Sequence, residues 1–239
     1  MDNLVNKRIA VIPARGGSKR IPKKNILNFF GKPMIAWTIE SALKTKMFDT
    51  VLVSTDNEEI AEISKSYGAE VPFLRNRHSD DYTPVSEATL TALEQLNSYN
   101  GKTYEIIVQL MPNCPLRSAQ NVIDQLKFFD ELDGEISVLS GFHYGMFNPW
   151  WAHQKNKNNK YKKLFDKFST EIRSQDLEPL ICPSGATWIS TINSLRKFNS
   201  FYSENYTFYK LNWQEAVDID DESDLLLAKA AYLILNEKI

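Results

Sequence analysis

Arg8-Ile9-Ala10-Val11-Ile12-Pro13-Ala14-Arg15-Gly16-Gly17-Ser18-Lys19-Arg20-Ile21-Pro22-Lys23-Lys24-Asn25 is the stretch whose reading decides the fold. Residues 9–12 are apolar without alternation, the pattern of a strand buried on both faces. Pro13 ends the run. A loop follows with adjacent glycines, a serine and the basic side chains Arg15, Lys19, Arg20, Lys23 and Lys24. Glycine lets a backbone approach an anion closely, and successive N–H groups form a concave nest around phosphate oxygens. The cations would add full charge opposite a polyphosphate. The glycine spacings of the Rossmann and Walker loops are both absent. On residues alone, the loop reads equally well as a phosphate cradle or as a turn with solvated cations.

Outward from this loop the chain keeps a strand–helix rhythm. Residues 34–43 recur at helical spacing, with Pro33 placed for a first turn. Residues 50–54 read as a strand. A helix begins near Asn57 with Glu58 and Glu59 in its first turn, and Gly68 closes it. Residues 69–74 read as a third strand, 84–96 as a helix and 106–110 as a fully apolar strand. Ser118 caps a helix to about residue 129, and 136–139 form a buried strand. Residues 186–190 and 207–211 read as strands, and 225–235 as a closing amphipathic helix. This is the signature of an α/β fold: three layers, a mainly parallel sheet flanked by helices, with right-handed crossovers. Ligands of such sheets sit beyond the carboxyl ends of the strands, from which the loops after Ile12, Val53 and Leu110 leave.

Residues 141–176 break the rhythm with aromatics (Phe142, Tyr144, Phe147, Trp150, Trp151) and then Lys and Asn. They read as an insertion between 1–140 and 177–239. Its aromatics make either a small local core or a dimer surface.

The chain has 239 residues and a formal net charge of −2, with 43% hydrophobic residues. That is enough for a sizeable core, and the charge balance does not favour nucleic acid or an anionic membrane as a partner. A local basic loop in a near-neutral chain suits a small anionic ligand. No apolar run approaches a transmembrane length, and residues 1–8 lack a signal-peptide core. Two cysteines, Cys114 and Cys182, point to a reducing compartment, hence the cytoplasm. Cys114 has no histidine near in sequence and reads as an inert buried thiol. His78, His143 and His153 show no zinc-ligand spacing.

Asp218 and Asp220 stand two apart. On a strand, that spacing puts both carboxylates on one face, where two hard oxygen ligands can hold Mg²⁺ against nucleotide phosphates. The other reading is that the acidic cluster 218–222 caps the last helix, a role that Asp221, Glu222 or Ser223 could fill.

The loop Ile12-Pro13-Ala14-Arg15-Gly16-Gly17-Ser18-Lys19, with Pro22 and Lys24-Asn25, resembles the nucleotide loop of the acylneuraminate cytidylyltransferases, enzymes that make CMP-activated sialic and related nonulosonic acids. The resemblance is specific here and weaker along most of the chain. It implies a nucleotide-diphospho-sugar transferase-like fold and transfer of CMP from CTP to the anomeric hydroxyl of a nonulosonic acid, with release of pyrophosphate, Mg²⁺ dependence and a homodimer built through the insertion. It also implies a place in surface polysaccharide biosynthesis.

Carried over residue by residue, the resemblance gives Ala14, Arg15, Gly16, Gly17, Ser18, Lys24, Asn25, Arg75 and Thr83 to the nucleotide. Arg75 belongs with Asp81, Tyr82 and Thr83 in a segment closing over the cytidine. Arg15, Lys24 and Asp218 take catalytic roles, and Asp218 and Asp220 match a metal-site Asp-x-Asp. Arg173 and Gln175 match a sugar-side motif, where an arginine could pair with the carboxylate of a 2-keto sugar acid.

There are departures. The family commonly reads Gln-Pro-Thr-Ser-Pro-Leu-Arg, with the glutamine on the sugar. Here Met111-Pro112-Asn113-Cys114-Pro115-Leu116-Arg117 aligns, leaving Gln109 and Asn113 as substrate-side candidates. Ser184-Gly185 stands where relatives commonly have Asn-Gly. The alternatives are a cytidylyltransferase for an eight-carbon keto-sugar acid, or a non-catalytic nucleotide-binding module.

Overall fold

The computed structural model describes residues 7–77, 83–132, 134, 136–165 and 172–236. Its strands and helices, in chain order, are β1 (Arg8–Pro13), β2 (Asn28–Phe29), β3 (Lys32–Pro33), α1 (Met34–Thr45), β4 (Thr50–Ser54), α2 (Glu58–Ser66), α3 (Val85–Asn100), β5 (Ile106–Gln109) and α4 (Ala119–Glu131). There follow β6 (Ser137–His143), β7 (His153–Lys155), β8 (Tyr161–Lys163), β9 (Ile181–Thr191), α5 (Ile192–Phe198), β10 (Tyr206–Lys210), α6 (Trp213–Ala216) and α7 (Glu222–Leu235).

Six strands form the main sheet, in the order β10-β6-β9-β5-β1-β4. β4, β1 and β5 run parallel, as do β10 and β6. β9 lies antiparallel between the two groups. The sheet is buried on both faces because alternate residues of each strand meet different helices. Ala10, Ile12, Val51, Val53 and Val108 pack with Ile35, Ile39, Ile60, Val122 and Leu126 from α1, α2 and α4. Ile9, Val11, Leu52 and Ile107 pack on the other side with Leu90, Leu93 and Leu96 of α3 and Ile192 and Leu195 of α5. Two apolar layers, one against each face, are why residues 9–12 carry no polar alternation.

Local chemistry fixes the helix ends. Asn57 caps α2, its side chain accepting from the Ile60 N–H at 3.0 Å. Ser118 and Asn121 form a reciprocal capping box at α4, as Asp221 and Asp224 do at α7.

Two expected elements differ. Residues 69–74 make a single parallel bridge, Leu52 to Glu70, since Pro72 has no N–H to continue a ladder. Pro33 is the N-cap of α1, with ψ of 142°, and not a first-turn residue. The main sheet also runs past residue 140. Gly141 of β6 pairs with Lys210 of β10, and His143 pairs with Ile181 of β9. The segment between β6 and β9 holds the small β7–β8 hairpin.

The chain crosses from β4 to β5 over β1, so the strand order reverses direction at β1, and the crevice between the β1 and β5 loops is where such a sheet takes its ligand.

Candidate active site

The loops after β1 and β5 enclose a cleft of about 480 Å³. Its walls are Pro13, Arg15, Ser18, Lys19, Arg20, Lys24, Asn25, Arg75, Thr83, Val85, Ala88, Met111, Pro112, Asn113 and Asp220. Residues from both ends of the chain therefore share one cavity.

The bond between those ends is explicit. Lys24 Nζ donates to Asp220 Oδ1 at 2.9 Å and to the Ile219 carbonyl at 2.7 Å. Arg20 Nη2 lies 2.9 Å from the other oxygen, Asp220 Oδ2. Asp220 and Asp218 do not sit on a strand, as expected from the sequence; residues 217–220 are extended coil between α6 and α7. Alternation still operates there. Val217 and Ile219 are buried with Phe29, Met34 and Leu116, which turns the intervening aspartates the other way.

Asn113 ties the aspartates together. Its Nδ2 donates to Asp218 Oδ1, to the Ile219 carbonyl at 3.2 Å and to Asp220 Oδ1 at 3.4 Å. Its carbonyl accepts from the Ile219 N–H at 2.9 Å.

These neighbours separate the two carboxylates electrostatically. Burial, then the charge of Asp220, pushes the Asp218 pKa up to about 6, against the pull of Lys24. Burial also works to raise Asp220, but the hydrogen bond and charge of Lys24, with Arg20, outweigh it and hold that carboxyl below its ordinary value.

The glycine loop behaves only partly as a nest. Gly16 donates its N–H to Asp56 Oδ1 at 2.7 Å, not to the cleft. A Cβ on Gly16 would stand 2.9 Å from Asn57 Cβ, so the residue is small because the loop is pressed on the cap of α2. Gly17 has open space around it. Ala14 is fully buried and its N–H is taken by the Ser54 carbonyl at 2.9 Å. Asn25 holds the loop itself, Nδ2 donating to the Arg15 carbonyl at 2.9 Å. Ser18 and Arg15 line the cleft. Arg75 is buried at its rim; desolvation, with the like charge of Arg15, lowers its pKa against the upward pull of Asp56. Its Nε has no hydrogen-bond partner. Thr83 lines the cleft beside it; Asp81, Tyr82 and His78 lie outside the described residues.

On the substrate side, the candidates divide. Asn113 is in the cleft wall; Gln109 is not. Gln109 is fully buried, its Oε1 accepting from Thr89 Oγ1 at 2.7 Å. Arg173 and Gln175 are exposed at a 3₁₀ turn and do not line the cleft; Arg173 Nε lies 3.4 Å from Asp176 Oδ2.

Two further residues gain a role from the fold. Arg20, an exposed cation of the first loop, is the second cation on Asp220. Arg117 is buried and pins the loop from behind: Nη1 donates to the carbonyls of Ala186 and Met111. Burial, partly offset by Cys114, depresses its pKa to about 10. Gly185, next to Ala186, accepts at its carbonyl from the Met111 N–H at 3.3 Å. A Cβ there would stand 2.8 Å from Met111 Cγ and 3.2 Å from Asp218 Oδ2. Cys114 is fully buried, and burial, then Asp218, raises its pKa well above the ordinary thiol value, so it is not a nucleophile.

Among the described residues no group of three His, Cys, Asp or Glu side chains could hold a metal ion. The donor set beside the cleft is instead all oxygen: two carboxylates, the Ile219 carbonyl and Asn113 Oδ1, which is buried without a hydrogen-bond partner. Hard oxygens of this kind fit Mg²⁺ better than a softer ion.

A parallel α/β sheet whose first loop sets cations against carboxylates across a cleft is the layout of a nucleotidyl-transferring enzyme. Comparison with known proteins gives the particular group. The cytidylyltransferase family profile matches residues 9–136. A pseudaminic acid cytidylyltransferase of Campylobacter jejuni is 35% identical over 234 residues, 97% of this chain and 98% of its own. A CMP-N,N'-diacetyllegionaminic acid synthase of Legionella pneumophila is 32% identical over 92% of this chain and 94% of its own. The chain belongs to the cytidylyltransferase family. A solved CMP:2-keto-3-deoxy-manno-octonic acid synthetase complexed with CTP shares the fold, with a TM-score of 0.68 at 18% identity over 97% of this chain and 99% of that one.

Proposed function

We propose that this cytidylyltransferase joins CMP from CTP to the anomeric hydroxyl of a nonulosonic acid. The observation that carries the reading is the Lys24–Asp220 contact, which closes one cleft from residues 196 positions apart. The hydroxyl oxygen forms a bond to the α-phosphorus, the bond from that phosphorus to the bridging oxygen breaks, and pyrophosphate leaves with the electron pair. Lys24, Arg15 and Arg20 face the cleft as counter-charges to the triphosphate. Arg75 and Thr83 stand where they can border the nucleoside. Asp218, tied through Asn113 to the Asp220 that lines the cleft, is the group that would take the hydroxyl proton. Asp218 and Asp220 would hold Mg²⁺, which when bound supplies charge neutralisation at the phosphates. Arg173 and Gln175 remain candidates for the sugar acid, reached only by a rearrangement of their exposed turn. The free thiols of Cys114 and Cys182 suit the cytoplasm, and among the described residues no helix is long and apolar enough to cross a membrane.

The test is pyrophosphate release from CTP and Mg²⁺ with sialic, legionaminic and pseudaminic acids and an eight-carbon keto-sugar acid. Turnover with a nine-carbon acid is expected. Turnover with the eight-carbon acid alone would move the substrate class, and none with any acid would end the reading.

The segment between β6 and β9 supports a homodimer. Met146 and Phe147, neighbours in sequence, and Tyr161 of the same segment are exposed by 83%, 79% and 66%, apolar surface that a second copy could cover. Sedimentation velocity is expected to give a dimer, and Phe147→Asp to shift it towards monomer; a wild-type monomer at micromolar concentration would refute it.

A further inference from the structure

We infer that Asn113 is a third protein ligand of the divalent cation, presenting Oδ1 after its side-chain amide turns over. This rests on the reading of Asp218 and Asp220 as the metal-holding pair and goes beyond it.

Two carboxylates alone leave a hard cation short of oxygens. Mg²⁺ takes six, and sites of this sort add carbonyl, phosphate and water oxygens to one or two carboxylates. Asp224 cannot add a third: its Oδ2 accepts from the N–H groups of Asp220 and Asp221 at 2.9 and 3.1 Å, closing the cap of α7. The Ile219 carbonyl already accepts from Lys24 Nζ at 2.7 Å and from Asn113 Nδ2 at 3.2 Å, and the other oxygen beside the pair is Asn113 Oδ1. That side chain is 4% exposed, lines the cleft and leaves Oδ1 without a partner. A buried acceptor left empty is costly, and it stands on the same amide that reaches both carboxylates.

The metal-free arrangement explains why the oxygen points away. Nδ2 donates to one oxygen of each aspartate and to the Ile219 carbonyl, so a donor fills the space between acceptors that would otherwise repel. A cation held by Asp218 and Asp220 would reverse the demand. The N–H₂ end would face positive charge at contact distance, and the oxygen end would gain a ligand bond. The two ends of an amide have nearly the same shape, so the exchange needs a turn about one torsion and no change in packing volume.

Mn²⁺, titrated by the electron paramagnetic resonance of the free ion, reads the site without turnover. With the full chain and no nucleotide, Asn113→Leu is expected to weaken Mn²⁺ binding by about tenfold, as loss of an oxygen ligand or its support does. Asn113→Asp is expected to bind at least as tightly as wild type, because a carboxylate replaces the amide oxygen and adds charge. The second variant separates ligand from clamp. If Asn113 only steadies the aspartates through Nδ2, Asn113→Asp loses the donor, adds repulsion and binds worse than Asn113→Leu; that ordering overturns the inference. Circular dichroism and CTP binding without metal check that both variants are folded. If Asp220→Asn abolishes Mn²⁺ binding and neither Asn113 variant changes it, Asn113 is no ligand and the carboxylate pair stands. If wild type itself binds no Mn²⁺, both readings fall.

Discussion

Lys24→Met is expected to lower kcat/KM for CTP by roughly 10³, or about 4 kcal/mol of transition-state stabilisation. The side chain is only 14% exposed and its ammonium is held at two points, by Asp220 and by the Ile219 carbonyl. A charge fixed in advance in a partly dry cleft costs little to reorganise when negative charge builds on the transferring phosphoryl group. Methionine keeps the stem and removes only the charge, so the fold should persist. It also leaves Asp220 paired with Arg20, on an exposed side chain that solvent screens. Lys24→Arg should rescue poorly, since a planar fork cannot repeat the two bonds of 2.9 and 2.7 Å made by one nitrogen. Initial-rate kinetics with CTP varied at saturating sugar acid measure both. A Lys24→Met enzyme within fivefold of wild type would show that the lysine is a structural tie and not a phosphate group.

The parts of this molecule that follow a period were legible before any coordinates. Residues 9–12, 51–53 and 106–108 are apolar on consecutive positions because both sheet faces are covered. Caps at Asn57, Ser118 and Asp221 announced three helices through the chemistry of a free N–H. The bridge at Glu70 was over-read as a strand, because composition around it is strand-like and the single Pro72 decides the hydrogen bonding. In the site, Lys24, Asn25 and the Asp218–Asp220 pair came from resemblance to a family loop and an Asp-x-Asp; their meeting at 2.9 Å is a fact of folding. What was not legible depends on partners distant in sequence. Gly16 donates to Asp56, 40 positions away, so its N–H is unavailable to a phosphate. Arg20 looked like any exposed cation until Asp220 stood beside it. Arg117 carries no local sign that its guanidinium is buried, and Gln109 faces Thr89 of α3, across the sheet from any expectation of a sugar.

Asp218→Asn is expected to abolish turnover while making the metal-free protein more stable at neutral pH. The Asp218 carboxyl titrates at about 6 in the fold and near 3.9 in an unfolded chain. Because the folded pKa is the higher, the native state binds the extra proton: this group's contribution to stability is complete below pH 4 and is lost as pH rises through 6. At pH 7.5 the ionised, buried carboxylate therefore costs about 3 kcal/mol relative to the protonated acid, two pKa units at about 1.4 kcal/mol each. Asparagine is neutral at every pH and has nearly the same shape. In chelator-containing buffer, urea unfolding should find Asp218→Asn more stable than wild type by about 2 kcal/mol at pH 7.5, with the gap narrowing to about half at pH 5 and closing near pH 4. Pyrophosphate release should fall by roughly 10³ or more in the same variant, since both a cation ligand and the proton acceptor have gone. Stability and activity would then move in opposite directions from one substitution, as expected where a carboxylate is kept charged and buried for chemistry. A variant destabilised equally at pH 5 and pH 7.5 would mean that Asp218 serves the fold, through its bond to Asn113, and that its raised pKa has no consequence for catalysis.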